Sequence, residues 1–109
     1  MVKMKNDKYR KARGGKAFII RVFCLCGAEA VHYQKDGDGM LKRCYLNRIF
    51  GPAELEKLQH DPLCLDTKNV PPLVCRSCLT VIGMPIVHHD GRVAFRLRQG
   101  FFRKKRETY

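Results

Sequence analysis

Two short cysteine pairs, Cys24-Leu25-Cys26 and Cys75-Arg76-Ser77-Cys78, stand in this chain with 48 residues between them, each at the start of an apolar segment. A tetrahedral metal ion bound by four thiolates needs two such chelating turns brought face to face, each offering two sulfurs about 2.3 Å from one point. The pattern therefore predicts two halves clipped together by one Zn2+, with Cys24, Cys26, Cys75 and Cys78 as ligands. Buried thiols packed as small hydrophobes are the alternative. Gly27 suits the first turn, because a metal knuckle aims backbone N–H groups at sulfur and needs a residue free to take positive φ. Leu79 stands at that place in the second turn, so that turn is expected to close differently.

The chain has 109 residues, one domain by length. A core of that size is marginal, and a bound metal would supply folding free energy on the order of 10 kcal/mol. Met1 to Arg13 is basic and polar, and the apolar run Ala17–Ile20 is cut by Arg21. Neither resembles a secretory leader or a membrane span. The expectation is a cytoplasmic protein without a membrane partner, in a compartment where paired cysteines hold metal.

Charge is concentrated at the two ends. Residues 1–16 carry seven Lys/Arg against Asp7, residues 92–109 carry seven against Glu107, and the stretch between them sums to zero, so the ends hold the whole net charge of +12. Basic segments of this kind, unable to bury apolar surface, are expected to be flexible and to meet a polyanion. A purely solubilising role is the bland alternative. The expected organisation is a flexible basic arm over 1–16, a metal-bound β domain over 17–102 and a basic tail over 103–109. Removing the first 13 residues should then leave the fold intact.

Periodicity predicts a mainly β fold with one short helix. Residues 17–23 lead as a strand into the first cysteine turn, 29–35 lead out to Asp36-Gly37-Asp38-Gly39, and 40–46 return, placing Cys44 opposite Val31. The second half repeats the plan: Leu73-Val74, the Cys75/Cys78 turn, a strand over 80–88, an Asp90-Gly91 turn, and a strand over 92–98. Gly51-Pro52 opens the helix, Leu55 and Leu58 give it an apolar stripe, and Asp61-Pro62 ends it. In the last strand Val93, Phe95 and Leu97 alternate with Arg92, Arg96 and Arg98. That makes a comb of arginines about 6.6 Å apart, near the phosphate repeat of a nucleic-acid strand. Phe101 and Phe102 follow, then Arg103, Lys104, Lys105 and Arg106. Aromatic and basic groups so interleaved suit single-strand binding, although one phenylalanine capping the core is an equally ordinary use. Lys8, Arg10, Lys11 and Arg13 of the arm extend the candidate nucleic-acid surface.

The second half, Cys75-x-x-Cys78 with Gly83-Met84 and then Ala94-Phe95-Arg96-Leu97-Arg98-Gln99-Gly100-Phe101, resembles the C-terminal half of the yippee-like zinc proteins. The resemblance implies a β-tent, two antiparallel sheets meeting at an angle with zinc stapling their loops. Cys24-Leu25-Cys26-Gly27-Ala28 with Tyr33 is similar to the opening of the glutathione-dependent formaldehyde-activating enzymes. The further cysteines those enzymes use in a Cys-x-Cys-x-x-Cys cluster are missing, and the first pair is one residue shorter than the yippee-like Cys-x-x-Cys. A zinc ribbon is the competing fold.

Cys44 is expected to be a buried thiol, and His60 with Cys64 offers a second metal spacing that Pro62 interrupts. His32, His88 and His89 flank turns without a carboxylate to orient a general base. No nucleophile, phosphate loop or paired carboxylates can be picked out, so no enzymatic activity is expected. The leading expectation is a zinc-stabilised module binding nucleic acid, RNA ahead of DNA, or a ribonucleoprotein. The alternatives are an adaptor that holds an acidic protein, a peptide or a small ligand, and, more remotely, an enzyme of the formaldehyde-activating type.

Overall fold

The computed structural model describes residues 3–107. A short helix, Lys8–Ala12 (α1), precedes the hairpin of Ala17–Cys24 (β1) and Glu29–Asp36 (β2). Register places Ile20 opposite Tyr33 and Val22 opposite Val31, and all four side chains are buried. That alternation is what a half-buried antiparallel strand requires. After the 37–39 turn come Arg43–Tyr45 (β3), Ile49–Gly51 (β4) and the helical turn Ala53–Glu56 (α2), which three 3-10 turns continue to Asn69. Leu73–Val74 (β5), Val81–Val87 (β6), Val93–Leu97 (β7) and Phe102–Arg106 (β8) complete the chain.

The strands form two antiparallel four-stranded sheets, ordered β4-β2-β1-β8 and β3-β7-β6-β5. Side chains from both sheets, among them Val31, Cys44, Ile49, Ile82 and Phe95, meet in one core that excludes water from each of them. The expected mainly β, two-sheet architecture is therefore present. No helix of the described residues is long and apolar enough to cross a membrane.

Three local expectations are corrected. The segment after the first turn does not return along β2. It crosses to the second sheet, where β3 pairs with β7 and Cys44 faces Phe95, while Val31 pairs with Val22. The crossing is fixed by Leu41, Cys44 and Tyr45, all buried, and by the Tyr45 N–H donating to the Tyr33 hydroxyl at 2.8 Å. Three apolar groups spaced irregularly satisfy a chain that changes layers rather than a hairpin with one solvent face.

The basic tail is the second correction. Residues 102–106 add to β1 as an edge strand, from Cys24 opposite Phe102 to Ile20 opposite Arg106, and the Glu107 N–H closes the ladder on the Ile19 carbonyl at 2.8 Å.

The third correction concerns the arm, which is docked. Arg48 is wholly buried, and its guanidinium donates to Asp7 through Nη1 at 2.9 Å and Nη2 at 2.6 Å, and to Asp36 through Nε at 2.8 Å. A buried cation is tolerable only with such partners. Asp7 also caps α1, accepting from the N–H groups of Tyr9 and Arg10. Lys5 exchanges two hydrogen bonds with the buried Gln34 and reaches the Asn47 carbonyl and Gln59. Residues 5–13 are thus part of the folded body.

Candidate metal centre

Both cysteine turns are hairpin ends that expose sulfur on one side. In the first, the Cys24 N–H donates to the Ala28 carbonyl and the Gly27 N–H to the Cys24 carbonyl, each at 2.9 Å. In the second, the Cys75 N–H donates to the Thr80 carbonyl at 2.8 Å and the Leu79 N–H to the Cys75 carbonyl at 2.9 Å. The residue after each second cysteine lies in the left-handed region, Gly27 at φ +97° and Leu79 at φ +65°. The second turn does close differently, by a bond spanning four residues from Leu79 to Cys75 where the first spans three from Gly27 to Cys24, although the leucine takes a positive φ as the glycine does. Such a conformation costs a non-glycine residue about 1–2 kcal/mol.

The four sulfurs lie within 4.8 Å of one another. Across the two turns, Cys24 lies 3.5 Å from Cys78 and Cys26 lies 3.6 Å from Cys75. A tetrahedron with bonds of about 2.3 Å has edges of roughly 3.8 Å, so the sulfurs already stand at the spacing one ion would impose. Each turn contributes one buried cysteine, Cys24 or Cys75, and one exposed cysteine, Cys26 or Cys78. The ion would therefore sit where the two sheets converge, at the boundary of core and solvent.

The electrostatics suit a cation. The Thr80 hydroxyl and backbone N–H, followed by neighbouring sulfur, bring the Cys78 thiol down to about 6. Backbone N–H groups of Cys78 and Ser77 likewise lower Cys75. At Cys24 the Cys26 N–H pulls the same way, but burial and three adjacent sulfurs outweigh it and push the thiol up to about 12. Four sulfurs this close lose protons against one another, and a divalent ion removes that opposition.

The remaining cysteines stand apart. Cys44 is fully buried and its thiol is driven far up by desolvation. Cys64 is buried in the 3-10 segment with its sulfur 3.8 Å from the Asn69 carbonyl, and His60 pairs with Glu56 at 2.8 Å instead of turning toward it. Among the described residues the four paired cysteines are the one group of metal-ligand type. His88 packs edge-on against Tyr45 and tilted against His89, and His32 lies 3.5 Å from Glu107.

The basic residues are dispersed. Arg92 is sandwiched between the rings of Tyr9 and Tyr45, 3.8 and 3.7 Å away, and paired with Asp90 at 3.0 Å, so it does not join an exposed comb. Arg96 is exposed, and Arg98 lies over the Phe101 ring at 3.8 Å while donating to the Val81 carbonyl. Phe102 packs partly against the core. Arg103, Lys104 and Lys105 are exposed along β8, with Arg106 over the Phe18 ring at 3.5 Å. In α1, Lys8 lies over Tyr9, Arg10 donates to the Gly15 carbonyl and Lys11 is exposed, and just after it Arg13 reaches the Tyr45 hydroxyl. Sequence patterning missed Lys42 and Arg43. Register puts Arg43 directly opposite Arg96, which only the unanticipated pairing of β3 with β7 could reveal.

Fold and site together define a small two-sheet β domain whose layers converge on a four-cysteine cluster able to hold a metal ion. No protein-family model, curated protein or solved structure matches the chain.

Proposed function

We propose that this chain is a zinc-stabilised, non-catalytic module that binds nucleic acid, RNA ahead of DNA, by itself or within a ribonucleoprotein. Zinc is favoured because a tetrahedral all-thiolate set suits it, with iron as the other common occupant. Four protein ligands leave no open coordination position, which supports a structural role for the ion and a function located elsewhere on the surface.

The observation that carries the nucleic-acid assignment is the cross-strand pair of Arg43 and Arg96. Like charges directly opposite on a sheet are destabilising unless an anion lies over them. Neither has a carboxylate within ion-pair reach among the described residues. Both line an open depression of about 670 Å³ with Lys42, Met40, Ile86 and Leu97, so charge and apolar surface alternate there as a strand of phosphates and bases would use them. The cations of β8 extend the positive field.

Fluorescence anisotropy with 5′-hydroxyl RNA and DNA oligonucleotides between about 50 and 200 mM salt tests this, with an expected log–log slope of roughly −4 to −6 for five to seven neutralised phosphates. Arg43→Ala and Arg96→Ala should each flatten the slope by about one, similarly for unrelated sequences. Absence of binding at low salt would sink it. The adaptor alternative would then lead, supported by Leu25 and Leu79, which are 50% and 74% exposed on the two metal turns.

A further inference from the structure

Beside that depression, and sharing Met40, Lys42 and Arg43 with it, is a second cavity of about 170 Å³. It is bounded by the end of β2, the 37–42 segment, β3 and the docked arm. Its size is close to that of a cavity of about 150 Å³ that takes one benzene. There is room for one compact group and not for a chain passing through.

Its wall is cationic. Arg13, Lys35, Lys42, Arg43 and Arg92 all line it. Arg92 is neutralised by Asp90. The other four have no carboxylate within ion-pair reach among the described residues. Two carboxylates also line the cavity. Asp36 already accepts from Arg48 and Gln34, and the exposed Asp38 faces Lys16 at 3.5 Å.

Two details show a built site. Arg13 and Arg43, from distant parts of the chain, converge on one phenol oxygen: Arg13 Nη2 donates to the Tyr45 hydroxyl at 3.4 Å and Arg43 Nε at 3.0 Å. Lys35 is 7% exposed, yet its ammonium donates only to the Gly37 carbonyl, at 2.6 Å. A buried ammonium with no carboxylate in ion-pair reach, and with Asp38 acting on it only from farther off, is costly in an apo protein and is relieved by a bound anion. Gly37, at φ +81°, seats the arm against this wall, since a Cβ there would lie 3.1 Å from Arg13 Cβ.

We propose that this cavity binds the terminal phosphate of a phosphate monoester. A monoester presents three oxygens and nearly two charges, matching convergent guanidinium and ammonium donors, whereas an internal diester presents one charge and must leave in two directions. The phosphate is that of a 5′-phosphorylated strand end or of a free mononucleotide. The strand source rests on the nucleic-acid function proposed above; the anion site does not.

The test uses the full reduced, metal-loaded chain. Isothermal titration with inorganic phosphate, pyrophosphate and a nucleoside 5′-monophosphate is compared with anisotropy of one oligonucleotide carrying either a 5′-phosphate or a 5′-hydroxyl. The phosphorylated oligonucleotide should bind about tenfold more tightly or better. Arg43→Gln and Lys35→Met should each bring the ratio near one, and Lys35→Met should keep the circular dichroism of the parent, since it removes a buried charge. Binding of phosphate or mononucleotide without any oligonucleotide binding supports the cavity and assigns it a free ligand. Binding of 5′-hydroxyl strands with no 5′-phosphate preference, and no heat from phosphate or pyrophosphate up to about 10 mM, overturns the cavity while sparing the nucleic-acid function. Unchanged preference in both variants overturns it as well.

Discussion

The two ends of the chain carry the same net charge and the same number of basic residues, yet the fold uses them in opposite ways. The N-terminal segment is fastened by its one acid: Asp7 caps α1 and meets the buried Arg48, and Lys5 and Arg13 are drawn into hydrogen bonds with the body. The C-terminal segment is fastened chiefly by its backbone, as the ladder of β8 on β1, with its own acid, Glu107, meeting the half-exposed Arg21 and also His32, and most of its cations are left in water. Charge density alone did not distinguish structural basic residues from available ones. A single carboxylate placed to meet a buried guanidinium did.

The largest effect should come from removing the support both ends share. Cys75→Ser, or chelation of the reduced protein, should abolish the cooperative thermal transition, since the turns that align β1 with β2 and β5 with β6 converge on the sulfurs. A variant that melts like the parent and contains no metal would refute the metal centre. Next in size is the N-terminal clamp. Asp7→Ala, or removal of residues 1–13, should cost about 3–5 kcal/mol in urea denaturation by leaving Arg48 without one of its partners. Neutralising Lys104 and Lys105 to glutamine should instead change stability by less than about 0.5 kcal/mol. Equal losses at both ends would erase the contrast between them.

The clamp also has a pH signature. The Arg48 side chain beside Asp7 holds that carboxyl well below the ordinary carboxylate range. A group whose folded value is depressed contributes fully above its unfolded pKa of about 3.9, and that contribution is lost as pH falls through the folded value. Stability should therefore be flat with respect to Asp7 near neutrality and fall in acid, and Asp7→Asn should reduce the slope of that acid limb. A smaller change is expected for Cys44→Ala, about 1–2 kcal/mol for a modest core truncation, with one metal per chain retained by elemental analysis. Opposite in sign, Leu79→Gly should gain about 1 kcal/mol or less, because glycine accepts the left-handed conformation that leucine holds at φ +65°.

Local chemistry made part of this legible in advance. Cysteine spacing brought out the four converging sulfurs, and alternation in 17–23, 29–35 and 92–98 placed strands whose partners lie close in sequence. Pairings decided by distant residues were hidden. The sequence of β3 reads equally well as a hairpin return, and its transfer to the other sheet depends on Tyr33 and Phe95. The docking of Asp7 depends on a guanidinium 41 residues away that looks like any surface arginine. Arg92 fits a comb until Tyr9, Tyr45 and Asp90 are seen around it.

The exchange of strands between the halves governs the order in which the chain can fold. β3, from the first half, completes the second sheet, and β8, the last strand, completes the first; Arg21 and Glu107 meet across 86 residues of sequence. Contacts so remote make folding slow. During synthesis the first hairpin emerges with both edges unpaired, its apolar face uncovered and Cys24 and Cys26 without their partners. β4 then covers one edge and the Cys75/Cys78 turn supplies the missing sulfurs, but the β1 edge stays open until β8 is made, which makes the growing chain, more than the folded one, the form exposed to aggregation and oxidation.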